Sequence, residues 1–147
     1  MSFYLCFSGV GGQVSERYER HGRRKYMLKM HIVLVTKYRR RLMHDEISET
    51  IKSMIGDICR DNKWILYAIE TDKDHIHLLI GYDTTDRVCD IVKTIKQETT
   101  YWMWQRYPNI LSRYYYKKKG FWSDGYFVCS IGEVSSATIQ NYIESQG

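Results

Sequence analysis

Two different spacings of apolar residues along the chain predict its strands and helices. Apolar and β-branched residues are concentrated in residues 26–36, 64–70 and 74–80, which favours three strands. A fourth strand is predicted over residues 121–130. Because only a short polar turn at residues 71–74 leads from the second strand into the third, we expect these two strands to form an antiparallel hairpin.

Apolar residues at helical spacing separate these strands. A helix is predicted over residues 45–62, with one buried stripe that consists of Ile47, Ile51, Ile55 and Ile58. A second helix, capped by Thr85 or Asp86, is predicted to run to about residue 106, and Pro108 lies just beyond its end. The buried stripe of this second helix is predicted to consist of Val88, Ile91, Val92, Ile95 and Trp102.

The predicted elements follow the order strand, helix, strand, strand, helix, strand, helix. The first six match the split βαβ arrangement of ferredoxin-like and RRM-like domains. The expected fold is therefore α+β, a four-stranded antiparallel sheet with two helices on one face. An extra C-terminal helix, over residues 137–146, would lie near the open face. We treat residues 26–147 as one domain and residues 1–25 as an N-terminal extension to which the sequence assigns no role.

A pair of histidines in the third predicted strand provides the first candidate chemistry. His75 and His77 point to the same face because strand side chains alternate. Ile76, Leu78 and Ile80 point to the opposite face and can enter a core. Two imidazoles on one rigid strand form half of a metal site. Taken alone, the pair is also typical of partly exposed strand histidines, so the metal hypothesis requires a matching partner elsewhere.

The last predicted helix places a second set of polar groups on one face. Thr138, Tyr142 and Gln146 follow one another at intervals of four residues and therefore share that face. Ile139 and Ile143 share another face, which can pack on the body of the domain. A tyrosine hydroxyl thus lies one turn from a carboxamide oxygen. Taken alone, this pattern is also typical of a packed tyrosine and a solvated glutamine.

The charge of the chain indicates a polyanionic partner. The sequence has 22 Lys and Arg against 17 Asp and Glu, a formal charge of +5. Two basic stretches lie beside tyrosines, and such stretches can bind phosphates while rings stack on bases. Solvated surface turns are an equally ordinary interpretation. The candidate DNA-binding residues in these stretches are Lys37, Arg39, Arg40, Arg41, Lys117, Lys118 and Lys119.

The cysteines and the apolar runs exclude several classes of protein. The four cysteines are widely spaced and form no C-x-x-C pair, which argues against a zinc ribbon and favours a reduced compartment; they are Cys6, Cys59, Cys89 and Cys129. No apolar run has the length of a membrane span, and the apolar start lacks the basic region of a signal peptide. We therefore expect a cytoplasmic protein with no membrane partner.

Four motifs occur in order along the chain. They are K-Y-R-R at residues 37–40, T-D-K-D-H-I-H-L-L at residues 71–79, W-S-D-G-Y-F at residues 122–127 and Y-I-E-x-Q at residues 142–146. Together they resemble the single-tyrosine (Y1) HUH transposases of the IS200/IS605 insertion-sequence family, where HUH means His-hydrophobe-His. The resemblance spans residues 26–146 and leaves the first 25 residues outside.

The resemblance implies a complete set of roles. Tyr142 would be the nucleophile that cleaves and rejoins single-stranded DNA through a 5′-phosphotyrosine intermediate. His75, His77 and Gln146 would hold one Mg²⁺ or Mn²⁺ ion. The family acts as a homodimer on DNA hairpins near the ends of the element. In several members the tyrosine helix of one subunit completes the histidine site of the other.

Three other functions stay open at this point. Within the enzyme class, the alternatives are a domesticated relative that acts on chromosomal repeat hairpins, and a replication or conjugation nuclease of the wider HUH group. A non-catalytic RRM-like module that binds nucleic acid has the same fold. Such modules stack bases on aromatic residues of the open central strands, where this chain has His75 and His77. The single tyrosine and the short single domain favour the transposase.

Overall fold

A computed structural model of the chain describes residues 28–129 and 136–146. The strands are β1 (Leu28–Val35), β2 (Ile65–Thr71), β3 (His75–Tyr82) and β4 (Phe127–Cys129). The helices are α1 (Asp45–Asp61), α2 (Val88–Arg106), α3 (Pro108–Tyr114) and α4 (Ser136–Ser145). The predicted N-terminal extension over residues 1–25 lies outside the described residues.

The four strands form one antiparallel sheet in the order β2-β3-β1-β4. β1 and β3 pair along their whole length, from Leu28 opposite Tyr82 to Val35 opposite His75. This order and the two helices α1 and α2 confirm the predicted split βαβ fold. β3 lies between two strands and every one of its residues is buried, so the predicted histidine strand is the centre of the sheet.

One face of the sheet packs against α1 and α2. Ile76, Leu78 and Ile80 of β3 are buried in the same core as Ile51 and Ile55 of α1. The predicted alternation of β3 and the predicted stripe of α1 are therefore confirmed. Complete burial of such an aliphatic side chain contributes about 1.5–3 kcal/mol.

The predicted stripe of α2 is wrong at one position, because Trp102 is 53% exposed. Towards the end of α2 the buried residues are Thr99 and Met103. Trp122 lies on this side of the helix and donates a hydrogen bond from Nε1 to Thr99 Oγ1 at 2.9 Å. The indole of Trp122, from a distant segment, thus determines which side of the last turns of α2 faces the core. The spacing within α2 could not reveal that contact.

The region before the last strand also differs from the prediction. The strand predicted over residues 121–130 is described as far as residue 129; β4 forms only its last three described residues, and Trp122 forms an isolated bridge with Thr36. The loop at residues 123–126 separates the two segments. Pro108 follows α2 as predicted, yet it also begins the short helix α3, since proline suits the first helical turn.

The second face of the sheet carries α4. Ile139 and Ile143 of α4 form a small core with Val33 and Val35 of β1, so the predicted packing face of this helix is confirmed. α4 consequently lies on the face opposite α1 and α2. Within the described residues, no helix is both long enough and apolar enough to cross a bilayer.

Candidate active site

The two histidines of β3 lie side by side on the face that carries α4. The strand register places Val33 opposite His77 and Val35 opposite His75, and directly opposed residues share a face. His75 is 4% exposed and His77 is 1% exposed. Their ring centroids are 5.5 Å apart. The predicted geometry of the pair, on one face with apolar residues behind, is confirmed.

His75 is oriented by an acidic neighbour. Its Nδ1 lies 2.8 Å from Asp74 Oδ1, and Arg39 donates a hydrogen bond from Nε to Asp74 Oδ2 at 3.1 Å. Burial raises the pKa of the Asp74 carboxyl, but the hydrogen bonds and charges of His75 and Arg39 lower it by more. The net pKa lies below its usual value, so Asp74 is a carboxylate at neutral pH.

His77 is buried more deeply and is held in the neutral form. Burial is the main cause that lowers its pKa to about 3, and the charges of His75 and His31 lower it further. A neutral imidazole keeps a lone pair for a cation at neutral pH. His77 therefore has the protonation state that metal binding requires.

His31 is a buried residue of this face for which the sequence predicted no role. It lies on β1 opposite both Leu79 and Cys129, and it is two residues before Val33. Burial lowers the pKa of its imidazole. The period-2 alternation of β1 was a signal for its orientation, because Val33 and Val35 on the same face pack against α4.

Tyr142 reaches the same region from α4. Its ring lies 5.6 Å from the ring of Phe127, centroid to centroid. Among the described residues its buried hydroxyl has no hydrogen-bond partner. A Cβ built on Gly125 would lie 3.3 Å from this hydroxyl. Burial raises the pKa of the Tyr142 phenol, so the group is neutral at neutral pH and is sheltered by the loop that precedes β4.

A lysine of α2 fixes that loop. The Lys96 ammonium donates hydrogen bonds to three backbone oxygens, those of Ser123 at 2.7 Å, Asp124 at 3.1 Å and Gly125 at 2.9 Å. Burial lowers the pKa of Lys96, and the charge of Asp124 opposes that shift. Lys96 is not part of the stripe predicted for α2, and nothing in its spacing indicated that it holds the loop beside Tyr142.

The third predicted ligand is at the end of α4. Gln146 is one helical turn beyond Tyr142, and its Nε2 donates a hydrogen bond to Ser145 Oγ at 3.0 Å. Its amide oxygen is the atom suited to a cation. The described residues hold no cluster of three His, Cys, Asp or Glu side chains fit to bind a metal. Gln146, directly after α4, thus remains the predicted third ligand beside His75 and His77.

The two predicted basic stretches meet in one cavity of about 240 Å³. Lys37 and Arg40 lie over the ring of Tyr38, at 5.6 Å and 5.7 Å from its centroid. Lys117 lies 5.9 Å from the ring centroid of Tyr116. We name this site the basic-aromatic cavity; its lining includes Lys37, Tyr38, Arg40, Tyr116, Lys117 and Lys118.

The remaining predicted cations are distributed differently. Lys119 lies 5.6 Å from the ring centroid of Trp104. Arg39 turns inward to Asp74 and has an internal partner. Arg41 lines a second cleft of about 480 Å³ together with Lys73 and His75. This histidine cleft lies between the start of β3 and α4.

Comparison with known proteins places the chain in a family. The sequence profile of the family described as "Transposase IS200 like" matches residues 24–146. The chain belongs to this family. Two transposases show the relationship directly. The ISDra2 transposase TnpA of Deinococcus radiodurans is 29% identical over 121 residues, which cover 82% of this chain and 85% of that protein. The IS200 transposase of Salmonella typhimurium is 26% identical over 122 residues, covering 83% of this chain and 78% of that protein.

Solved structures agree with the assignment to the IS200-like transposases. A crystal structure of a candidate transposase from Deinococcus radiodurans R1 is similar with a TM-score of 0.79 and 30% identity, covering 87% of this chain and 97% of that one. A REP-associated tyrosine transposase bound to a REP hairpin has a TM-score of 0.52 at 13% identity and covers 85% of this chain and 69% of that one. At that identity the second likeness shows the fold alone. The family assignment and the fold predicted from the sequence are thus confirmed.

Proposed function

We propose that this IS200-like transposase cleaves and rejoins single-stranded DNA at insertion-sequence ends through a covalent 5′-phosphotyrosine at Tyr142. In this proposal His75, His77 and Gln146 hold one Mg²⁺ or Mn²⁺ ion. The observation that supports it best is the position of α4, which brings Tyr142 to the face where two buried histidines lie side by side. Neutral imidazole nitrogens and an amide oxygen leave the charge of a bound cation available to a phosphate.

The bound ion would supply Lewis-acid polarisation of the scissile phosphate. The residues of the chain supply everything else. His77 enters the reaction neutral, because its pKa is lowered to about 3. Asp74 holds the neighbouring His75 ring. His77 can therefore accept a cation without first releasing a proton.

The covalent step exchanges one phosphate ester for another. The Tyr142 oxygen attacks the phosphorus, an O–P bond to the ring forms, and the bond from phosphorus to the 3′ oxygen breaks. The phenol proton is lost and the 3′ oxygen gains one, so the products are a 5′-phosphotyrosine and a 3′-hydroxyl. A second 3′-hydroxyl can attack the phosphotyrosine and restore the phenol. Because each step replaces one ester with another, rejoining needs no ATP.

The resting position of Tyr142 implies a movement before attack. Its hydroxyl is buried beside Gly125, and burial raises its pKa. A buried neutral phenol is a poor nucleophile toward a phosphate in solvent. The tyrosine helix or the loop at residues 123–126 therefore shifts when the correct DNA binds. A homodimer in which α4 of one subunit completes the site of the other, as the resemblance implies, is one such arrangement.

The two cavities suit the two parts of a hairpin substrate. In the basic-aromatic cavity, Tyr38 and Tyr116 offer rings to unpaired bases while the surrounding cations bind phosphates. In the histidine cleft, Arg41 and Lys73 lie beside His75 and can guide the scissile strand to it. We therefore assign hairpin recognition to the first cavity and passage of the cleaved strand to the second.

Metal-dependent formation of a protein–DNA adduct tests the proposal. Labelled single-stranded DNA from the end of the element is incubated with the protein in Mg²⁺ or in EDTA and is resolved on a denaturing gel. We expect an adduct with Mg²⁺, none with EDTA, and a strong loss in His75→Ala with hairpin binding retained. Equal adduct in Mg²⁺ and EDTA would refute the metal role. Tight hairpin binding with no adduct in any divalent ion would favour a non-catalytic binding protein.

A further inference from the structure

We infer that Asp74 and Arg39 are positioning residues, which together fix the tautomer and the ring orientation of His75. The inference rests on the proposed function only in taking His75 as a metal ligand. Arg39 belongs to the basic stretch that the sequence assigned to DNA. The structure instead gives its Nε to Asp74 Oδ2 at 3.1 Å, while Asp74 Oδ1 lies 2.8 Å from His75 Nδ1.

The chemistry of imidazole makes this contact directional. A neutral histidine carries one proton, on either Nδ1 or Nε2. A carboxylate can only accept a hydrogen bond, so Asp74 favours the tautomer with its proton on Nδ1. The lone pair is then on Nε2, the nitrogen that would coordinate a cation. Carboxylates that hold metal-binding histidines in this way are a common feature of metal sites.

The backbone at Tyr38 and Arg39 has an unusual conformation that accompanies the contact between Arg39 and Asp74. Tyr38 and Arg39 are successive residues with φ of 60° and 53°, in the left-handed region that non-glycine residues rarely adopt. Arg39 N donates a hydrogen bond to Thr36 O at 2.9 Å, which closes the turn. The free-energy cost of two consecutive residues in this region must be offset by other contacts. The ion pair between the Arg39 side chain and Asp74 is one such contact.

Thr36 links residues 37–40 to Asp74 through hydrogen bonds. Its backbone N and its Oγ1 both lie within hydrogen-bond distance of Asp74 O, at 2.9 Å and 3.1 Å, and Oγ1 is 2.7 Å from Arg40 O. Thr36 therefore holds the end of β1, residues 37–40 and Asp74 in contact with one another. Both the backbone and the carboxylate of Asp74 are hydrogen-bonded. Because Asp74 is held at both points, its carboxylate can fix the direction of the His75 ring.

The neighbouring arginines distinguish positioning from general basicity. Arg39 and Arg41 both line the histidine cleft, and Arg40 lies over the ring of Tyr38. Of these three arginines, Arg39 is the one that forms an ion pair with the Asp74 carboxylate. Loss of Arg39 should therefore act on His75, whereas loss of Arg41 should act on DNA. Arg39 and Arg41 thus offer a matched comparison between two arginines of one segment.

The test is the tautomer of His75, observed by long-range ¹⁵N–¹H correlation NMR of the metal-free full chain, with a Mn²⁺ titration by EPR. We expect the wild-type spectrum to show the proton on Nδ1. In Asp74→Asn the amide can donate to Nδ1, so the proton should move to Nε2, and Mn²⁺ should bind about 10–100-fold more weakly. Arg39→Gln should shift both readouts in the same direction, and Arg41→Gln should leave both unchanged.

Each outcome has a distinct meaning. A wild-type His75 with its proton on Nε2, an unchanged tautomer in Asp74→Asn, or a changed tautomer with unchanged Mn²⁺ affinity would overturn the inference. If Asp74→Asn does not fold, Arg39→Gln alone decides, because that side chain is partly exposed and its loss leaves the carboxylate in place. If His75→Ala binds Mn²⁺ as tightly as wild type, the metal site of the proposed function fails, whereas the tautomer result stands by itself.

Discussion

The hydroxyl of Tyr142 rests against Gly125, where a Cβ would lie only 3.3 Å from it. This contact joins the candidate nucleophile on α4 to the loop that precedes β4. It also shelters the hydroxyl, which has no hydrogen-bond partner among the described residues. The loop in turn is held by Lys96. The Tyr142 hydroxyl is therefore buried beside a loop whose contacts can be tested by single substitutions at Gly125 and Lys96.

Gly125→Ala should release the tyrosine from this buried position. The added methyl group crowds the hydroxyl, so the buried position loses free energy relative to an emerged one. We expect the initial rate of adduct formation to rise by up to about fivefold, which corresponds to about 1 kcal/mol. Gly56→Ala is the control, since a Cβ there would meet open space; it should leave the rate unchanged. A slower rate in a folded Gly125→Ala protein would contradict this sheltering of the hydroxyl.

Lys96→Met should loosen the loop. The substitution keeps much of the aliphatic length but removes the donor of three hydrogen bonds to backbone oxygens. We expect the free energy of unfolding, measured by urea denaturation, to fall by about 1–3 kcal/mol. Lys93→Met, at an exposed position of the same helix, should have almost no effect. Equal losses in the two variants would show that Lys96 does not hold the loop.

The buried imidazole of His77 should make the stability of the metal-free protein depend on pH. The pKa of His77 falls from 6.5 to about 3 on burial beside His75 and His31. Between these values the unfolded chain binds a proton that folded His77 does not. The contribution is thus complete above about pH 6.5 and is lost as the pH falls toward 3, at about 1.4 kcal/mol per pH unit.

Urea denaturation in EDTA at several values from pH 7 to pH 5 measures this slope. His77→Gln should reduce the slope, whatever its effect on stability at pH 7. His44→Gln removes an exposed histidine at the start of α1 and should leave the slope as it is. A slope that is unchanged in His77→Gln would mean that folding does not lower the pKa of His77.

The basic-aromatic cavity should supply phosphate contacts. Replacing both Arg40 and Lys117 with Gln removes two of its cations. Hairpin affinity should fall, and the slope of log affinity against log salt should decrease in magnitude by about 2. The control replaces Arg60 and Lys63 with Gln. These two exposed cations lie in the last turn of α1 and just after it. Equal effects of the two double substitutions would assign DNA binding to net charge instead of to the cavity.

The sequence predicted the parts of the fold that local patterns determine. Ile51 and Ile55 recur at helical spacing and are buried on α1. The alternation around His75 and His77 placed both rings on one face, because a strand with one face in a core leaves its polar residues on the other. The order of these elements was then enough for the sheet topology.

The sequence could not predict what depends on contacts between distant segments. Trp102 has the spacing of a core residue, yet Trp122 makes the helix bury Thr99 instead. Arg39 and Arg41 are alike in the sequence, and only the fold shows that the first reaches Asp74. Lys96 likewise has its role because the loop before β4 lies against α2.

The identity of the covalently modified tyrosine tests the central claim most directly. The protein is allowed to react with single-stranded DNA from the element end, and the adduct is digested with nuclease and trypsin and mapped by mass spectrometry. The tryptic peptide that follows Lys119 contains Tyr126 and Tyr142, and fragment ions distinguish the two. We predict modification at Tyr142, loss of the adduct in Tyr142→Phe and its retention in Tyr126→Phe. An adduct at Tyr126, or equal yield from Tyr142→Phe, would contradict the account.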